Sequence, residues 1–107
     1  MAGPDSSAVD KWRTLLNDDR LALEVDEFIL ATFQGDRGVL LDYDRGEYYG
    51  LNDVATFVWK LLKEGCSPKQ LVERLTNEYD VPPDLARADL AVLLSNLSAR
   101  GVVRVRD

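Results

Sequence analysis

Few residues of this chain could carry out catalysis. Among its 107 residues there is no histidine, and Cys66 is the single cysteine. Without histidine, the chain cannot form a Ser-His-Asp triad, a Cys-His pair or a histidine-ligated zinc site from its own residues. Cys66 lies between Gly65 and Ser67 with no histidine base to activate it, so we interpret it as a buried or half-buried thiol. We therefore predict no catalytic residue and expect the chain not to be an enzyme.

Carboxylates are numerous, but they lack the spacing of a metal site. The candidates Asp18, Asp19, Asp42 and Asp44 have neither the alternating oxygen ligands nor the glycine of a calcium-binding loop. We interpret them as turn and strand-end residues. The sequence thus predicts no bound metal ion and no cofactor.

The charge balance favours a partner other than nucleic acid. Thirteen Lys and Arg residues against nineteen Asp and Glu residues give a net charge of −6. A duplex DNA surface repels such a chain unless a basic face is segregated, so a module that binds a peptide or protein is favoured. No apolar run is long enough for a membrane span or a signal peptide, and a lone cysteine agrees with a reducing compartment. We expect a cytoplasmic protein with no membrane partner.

The first half of the chain has a helical pattern followed by strand patterns. Residues 6–19 carry apolar side chains at helical spacing and predict a short amphipathic helix, with Val9, Trp12, Leu15 and Leu16 on one face. Residues 27–33, 39–43 and 47–51 are rich in β-branched and aromatic residues, with turn residues between them. They predict a three-stranded antiparallel meander. Residues 21–25 either extend its first strand or form a separate edge.

The second half is helical, with clear end signals. Asn52 is a good N-cap for a helix over residues 53–64, which Gly65 ends. Residues 67–70 form a capping box with proline at the first helical position, which predicts a helix through residue 79. The last helix begins at Pro83 or Asp84 and ends at Gly101, and the valines at 102–105 fit a short terminal strand.

The predicted fold class is α+β, with a winged helix-turn-helix-like arrangement. A three-stranded antiparallel sheet is followed by a three-helix bundle, and an extra helix precedes the sheet. We divide the chain into an N-terminal extension, residues 1–26, and a peptide-binding domain, residues 27–107. Trp59 lies off the apolar stripe of its helix, so it either marks a second interface with a partner enzyme or packs at the edge of the core.

The candidate binding site is the last strand of the meander and the last helix. As an edge strand, residues 47–51 would offer unpaired N–H and C=O groups to an added peptide strand. Alternation places Glu47, Tyr49 and Leu51 on one face, toward the helices, and Tyr48 and Gly50 on the other. The opposite wall is predicted to comprise residues at three- and four-residue steps on the last helix: Asp89, Val92, Leu93, Asn96 and Arg100. Alternatively, both tyrosines are ordinary strand aromatics, and Asp89 is solvated or paired with Arg87 or Arg104.

These motifs together resemble the PqqD-like family. The resemblance covers residues 27–105 and rests on residues 38–43, on Gly-Glu-Tyr-Tyr-Gly-Leu-Asn at 46–52, on 58–62 with 65–67, and on 88–90 with Leu94, Leu97 and 100–102. It implies a non-catalytic recognition element that binds the leader of a ribosomally synthesised precursor peptide as an extra strand, with leader side chains in a cleft beside the third helix. The implied partners are the precursor leader peptide and a separate processing enzyme.

Several functions stay open from sequence. Small size and the 46–52 motif most resemble the members that bind lasso peptide leaders, whose partner is a leader peptidase. A peptide chaperone for pyrroloquinoline quinone or another radical-SAM maturase is the alternative. A winged-helix DNA regulator shares the architecture. However, residues 84–100 carry a net charge of zero, so this helix is poorly suited to bind in the major groove of DNA. A structural module that binds only its enzyme partner is a further alternative.

Overall fold

The computed structural model describes residues 6–18 and 20–106, so the predicted turn carboxylate Asp19 lies outside the described residues. Four helices and five strands follow one another along this part of the chain. Their bounds are α1 (Ser6–Leu15), β1 (Ala22–Val25), β2 (Ile29–Gln34), β3 (Arg37–Asp42), β4 (Glu47–Leu51), α2 (Asp53–Glu64), α3 (Pro68–Tyr79), α4 (Pro83–Ala99) and β5 (Val103–Arg106). The predicted α+β class and the extra N-terminal helix are confirmed.

The strands β2, β3 and β4 form the predicted antiparallel meander, in that order. The first turn is tighter than expected, because Gln34 pairs with Arg37 and leaves only Gly35 and Asp36 in the loop. Gly35 has a φ of +64°, a left-handed conformation that glycine adopts without steric cost. The predicted turn at residues 34–38 was therefore too long, since its outer residues belong to the strands.

β1 settles the open question about residues 21–25. It does not extend β2 but pairs antiparallel with β5 in a separate two-stranded sheet, with Leu23 opposite Val105 and Val25 opposite Val103. An ion pair between Arg104 Nε and Glu24 Oε2 at 2.7 Å lies on its exposed side. The C-terminal valines thus form the predicted short strand, with a partner from far along the chain.

The helix ends follow the sequence closely. The Asn52 side chain accepts a hydrogen bond from the Ala55 N–H at 2.8 Å and caps α2, which ends at left-handed Gly65. Ser67 and Gln70 form the predicted capping box, in which each side chain accepts from the other residue's backbone N–H. Such caps satisfy backbone donors that a helix start leaves unpaired, which fixes the tight turn between α2 and α3.

One buried cluster joins the helices and sheets. Trp59 is 2% exposed and belongs to this core, as the core interpretation predicts. Trp12 and Leu16 of the N-terminal segment lie in the same cluster, as does Leu23 of β1. Side chains from the predicted extension and from the predicted domain thus share one core.

Trp12→Ala is expected to lower the free energy of unfolding by about 3 to 5 kcal/mol, because it leaves a cavity where α1 meets the core. Trp12 is only 4% exposed, whereas its neighbour Lys11 is exposed and serves as the control position. Urea unfolding followed by circular dichroism measures both variants. An equal, small effect of Trp12→Ala and Lys11→Ala would show that α1 does not contribute to the folded unit.

None of the helices in the described ranges is long and apolar enough to cross a membrane.

Candidate functional site

β4 is an edge strand of the three-stranded sheet. Within residues 6–18 and 20–106 it pairs with β3 and with no other strand, and Tyr49 lies opposite Leu40 and Gly50 opposite Val39. In such a strand, alternate residues direct their N–H and C=O groups away from the paired neighbour. Tyr49 packs partly buried against the core and Leu51 is buried, while Tyr48 is 73% exposed. The predicted assignment of faces is therefore confirmed.

A groove runs between β4 and α4, and we call it the β4–α4 groove. One part, of about 420 Å³, lies between β4 and the last turns of α4. The other, of about 330 Å³, lies along the middle of α4 beside the first turn of α2. The two parts adjoin, since they share four lining residues: Asn52, Ala55, Leu93 and Asn96.

All but one of the predicted site residues line this groove. Asp89, Val92, Leu93 and Asn96 line its middle part, and Leu93, Asn96 and Arg100 face β4 residues 48–51 across the other part. Glu47 does not line it, but its Oε1 accepts a hydrogen bond from the Tyr49 hydroxyl at 2.9 Å. The residues that sequence spacing predicted on β4 and on α4 are far apart in the chain, and the fold places them on the two walls of one groove.

The groove also uses residues that the sequence analysis missed as site residues. Asn52 and Ala55 connect its two parts, and Val54, Leu75, Leu90 and Leu97 complete its lining. One signal could have found the first two. Because α2 starts directly after β4, its first turn must lie beside the end of that strand.

Two arginines lie at the end of α4: Arg100, which lines the groove, and Arg45, which contacts it. The Arg100 guanidinium carbon lies 4.4 Å from the centroid of the Tyr49 ring, within the range of a cation–π contact. Arg45, in the turn between β3 and β4, donates a hydrogen bond from Nη1 to the Arg100 carbonyl oxygen. The Arg45 Nε lies 4.0 Å from Oδ2 of the buried Asp42. These contacts link the two walls at this end.

Asp89 lies exposed on the groove wall. The arginines that were alternative partners for it bind other carboxylates: Arg87 Nη1 donates to Asp84 Oδ1 at 2.7 Å, and Arg104 Nε donates to Glu24 Oε2 at 2.7 Å. Of the two alternatives for Asp89, the ion pair with Arg87 or Arg104 is not formed, whereas the exposed carboxylate fits the solvated one. The groove has a carboxylate on α4 near its middle and a guanidinium near its end.

The residues that line the β4–α4 groove include no serine, threonine, cysteine or lysine, and Cys66 does not line it. Burial raises the pKa of the Cys66 thiol, and the nearby Glu64 carboxylate raises it further, against a lowering by Arg74. The thiol is therefore protonated at neutral pH and unsuited to attack. Over residues 6–18 and 20–106, no group of three or more His, Cys, Asp or Glu residues could hold a metal ion. The arrangement suits the binding of an extended chain.

The family model described as coenzyme PQQ synthesis protein D (PqqD) matches residues 37–103, which include β3, β4 and α2 to α4. This chain belongs to the PqqD family. Both walls of the β4–α4 groove lie within the matched residues. A comparison with curated protein sequences found no match.

Solved structures agree with this family in fold. The structure "TbiB1 in Complex with the TbiA(beta) Leader Peptide" is 28% identical with a TM-score of 0.73, covering 76% of this chain and 94% of that one. A lasso peptide synthetase B1 complexed with the leader peptide is 33% identical with a TM-score of 0.69, covering 77% and 96%. The stand-alone recognition element truncated from Methylobacterium extorquens PqqCD is 24% identical with a TM-score of 0.63, covering 78% and 88%. The last likeness concerns the fold alone.

Proposed function

We propose that this PqqD family member binds the leader region of a ribosomally synthesised precursor peptide and delivers it to a separate processing enzyme, in lasso peptide biosynthesis. One observation carries the proposal: the edge of β4 faces a peptide-sized groove along α4. The leader would add to the sheet as a strand next to β4. Two similar proteins, 28% and 33% identical, have been solved with a leader peptide bound.

Backbone groups would supply the affinity and groove side chains the specificity. The edge-facing N–H and C=O groups of β4 would bond to the leader backbone, which is the general mode of strand addition. Every second leader side chain would then point into the β4–α4 groove, where Ala55 and Leu93 offer apolar surface and Tyr49 an aromatic wall. Leader segments with large apolar side chains at alternate positions therefore fit best.

Delivery would act through effective concentration. A leader held on this chain keeps the rest of the precursor close to an enzyme bound to the same assembly, which makes the reaction effectively intramolecular. Ordering a flexible leader costs about 2 to 5 kcal/mol of the gross interaction energy, so we expect affinities between micromolar and nanomolar. This role needs no catalytic group on the chain.

A pyrroloquinoline quinone-type peptide chaperone is the second candidate, because the matching family model carries that description. The lasso pathway is favoured because the similar structures with bound leader peptides have higher identities, 28% and 33%, than the PqqCD recognition element, at 24%. Both candidates place a leader in the same groove.

The test is a fluorescence-polarisation titration of the full chain with labelled leader peptides from both pathways. We expect saturable binding of a lasso leader encoded near the gene of this chain, and none of its scrambled version. Saturable binding of only the pyrroloquinoline quinone precursor would favour the second candidate. Absence of leader binding, together with salt-sensitive binding of a duplex DNA control, would overturn the proposal in favour of a DNA regulator.

A further inference from the structure

The other edge of the three-stranded sheet is open as well. β2 pairs with β3 on one side, and no second strand lies beside it in the described ranges of the chain. Exposed edge strands are commonly protected by charged residues or proline along the strand. The six residues of β2, Ile-Leu-Ala-Thr-Phe-Gln, include neither. β2 therefore lacks both of these protections against pairing with another strand.

A second groove lies between this edge and α2, and we call it the β2–α2 groove. Its volume is about 400 Å³, and most of its lining is apolar, contributed by β2 and by Trp59. Leu30 and Phe33 are about half exposed, at 47% and 46%. It is separate from the β4–α4 groove, since the two share no lining residue.

The Phe33 ring, the aromatic wall of this groove, has neighbours on β3 and on α2. The Phe33 ring lies against Gly38 on β3, where an added Cβ would come within 3.0 Å of the ring. The Lys60 Nζ lies 4.7 Å from the centroid of the same ring, a cation–π contact. Any side chain at Gly38 would force the ring to move, so this glycine is needed for the present shape of the groove.

The groove is basic in an acidic protein. Lys60 and Lys63, one turn apart on α2, line it together with uncharged residues, although the chain has a net charge of −6. Within residues 6–18 and 20–106, neither lysine forms an ion pair. The carboxylate next to Lys63 in sequence, Glu64, pairs with Arg74 instead, with 4.0 Å between Glu64 Oε1 and Arg74 Nη1. The groove thus complements a segment that carries negative charge and an apolar side chain.

We propose that the β2–α2 groove is a second docking site, which binds an extended acidic segment of a partner protein by strand addition to β2. A second copy of this chain fits poorly, because two-fold pairing of β2 edges would bring the lysines of both copies together. The two open edges are two strand spacings apart, about 10 Å, so a leader at β4 leaves β2 accessible. This inference goes beyond the proposed function and does not depend on leader binding.

The test is an NMR titration of the uniformly ¹⁵N-labelled full chain with a short peptide of alternating Glu and Val. Its matched probe has Lys in place of every Glu. We expect the acidic peptide to cause saturable shifts at Leu30, Thr32 and Lys63, and the basic peptide to cause none there. Lys63→Glu should weaken binding of the acidic peptide by about five-fold or more. Lys11→Glu, the same charge change at an exposed residue of α1, should leave binding almost unchanged.

Four results would overturn this proposal: no shifts at millimolar peptide, equal shifts with both peptides, shifts confined to the β4–α4 groove, or slowed diffusion that reports self-association through β2. Lys63 is exposed, so its substitution is compatible with folding, and the dispersion of the amide spectrum checks this. Leader titration of the same samples separates the two sites. Retained leader binding with no β2 response would refute only this inference.

Discussion

Gly50→Pro is expected to reduce leader affinity by about 100-fold or more while the helices stay folded. Proline removes the N–H of residue 50 and fixes its φ near −65°. If that N–H faces the free edge, the leader loses a donor; if it faces β3, the edge strand itself is displaced. In both cases β4 no longer presents a regular edge.

Gly50→Ala is the matched control for this variant. A Cβ at Gly50 meets nothing within 4 Å, so alanine fits and keeps the N–H. Fluorescence polarisation gives the leader affinity of each variant, and circular dichroism checks the helices. Unchanged affinity in a folded Gly50→Pro protein would rule out strand addition at β4.

Tyr49→Ala is expected to weaken leader binding by about 30-fold, roughly 2 kcal/mol, as for a central aromatic contact. The Tyr49 ring forms part of the groove wall, and Arg100 stacks on it. Tyr48 is mainly on the outer face, so Tyr48→Ala should have a smaller effect. Calorimetric titration with the same leader measures both variants.

Two further variants make this comparison specific. Tyr49→Phe keeps the ring and loses only the hydroxyl that donates to Glu47, so most of the affinity should remain. Tyr43→Ala removes an exposed aromatic in the turn after β3, outside the β4–α4 groove, and should have no effect. If Tyr48→Ala is more damaging than Tyr49→Ala, the assignment of Tyr49 as the main aromatic contact of the leader is contradicted.

Local signals made much of the fold predictable. The cap residues Asn52 and Ser67 and the left-handed Gly65 mark helix ends by backbone chemistry that acts within a few residues. Side chains alternate between the two faces along β4, and Leu51 leads directly into a buried helix. Together these two facts assigned Tyr49 to the inner face and Tyr48 to the outer face correctly. The same logic placed most of the groove residues on its two walls.

Long-range partners were not predictable from these signals. β1 pairs with β5 across almost the whole chain, and nothing in four residues of either strand specifies that partner. Arg45 lies in a turn whose sequence indicates only polar residues, yet its side chain donates a hydrogen bond to the Arg100 carbonyl oxygen. Trp59 lies off its helix stripe yet is buried. In these cases the surface that a residue packs against, rather than the local sequence pattern, determines its pairing or burial.

Amide hydrogen exchange of β4 with and without leader, followed by NMR on the full chain, tests leader strand addition most directly. We predict that leader binding protects one alternating set of β4 amides, either that of Tyr48 and Gly50 or that of Glu47, Tyr49 and Leu51, since only one set faces the free edge. Saturable leader binding that leaves the exchange of every β4 amide unchanged would contradict the proposal that the leader adds to this edge.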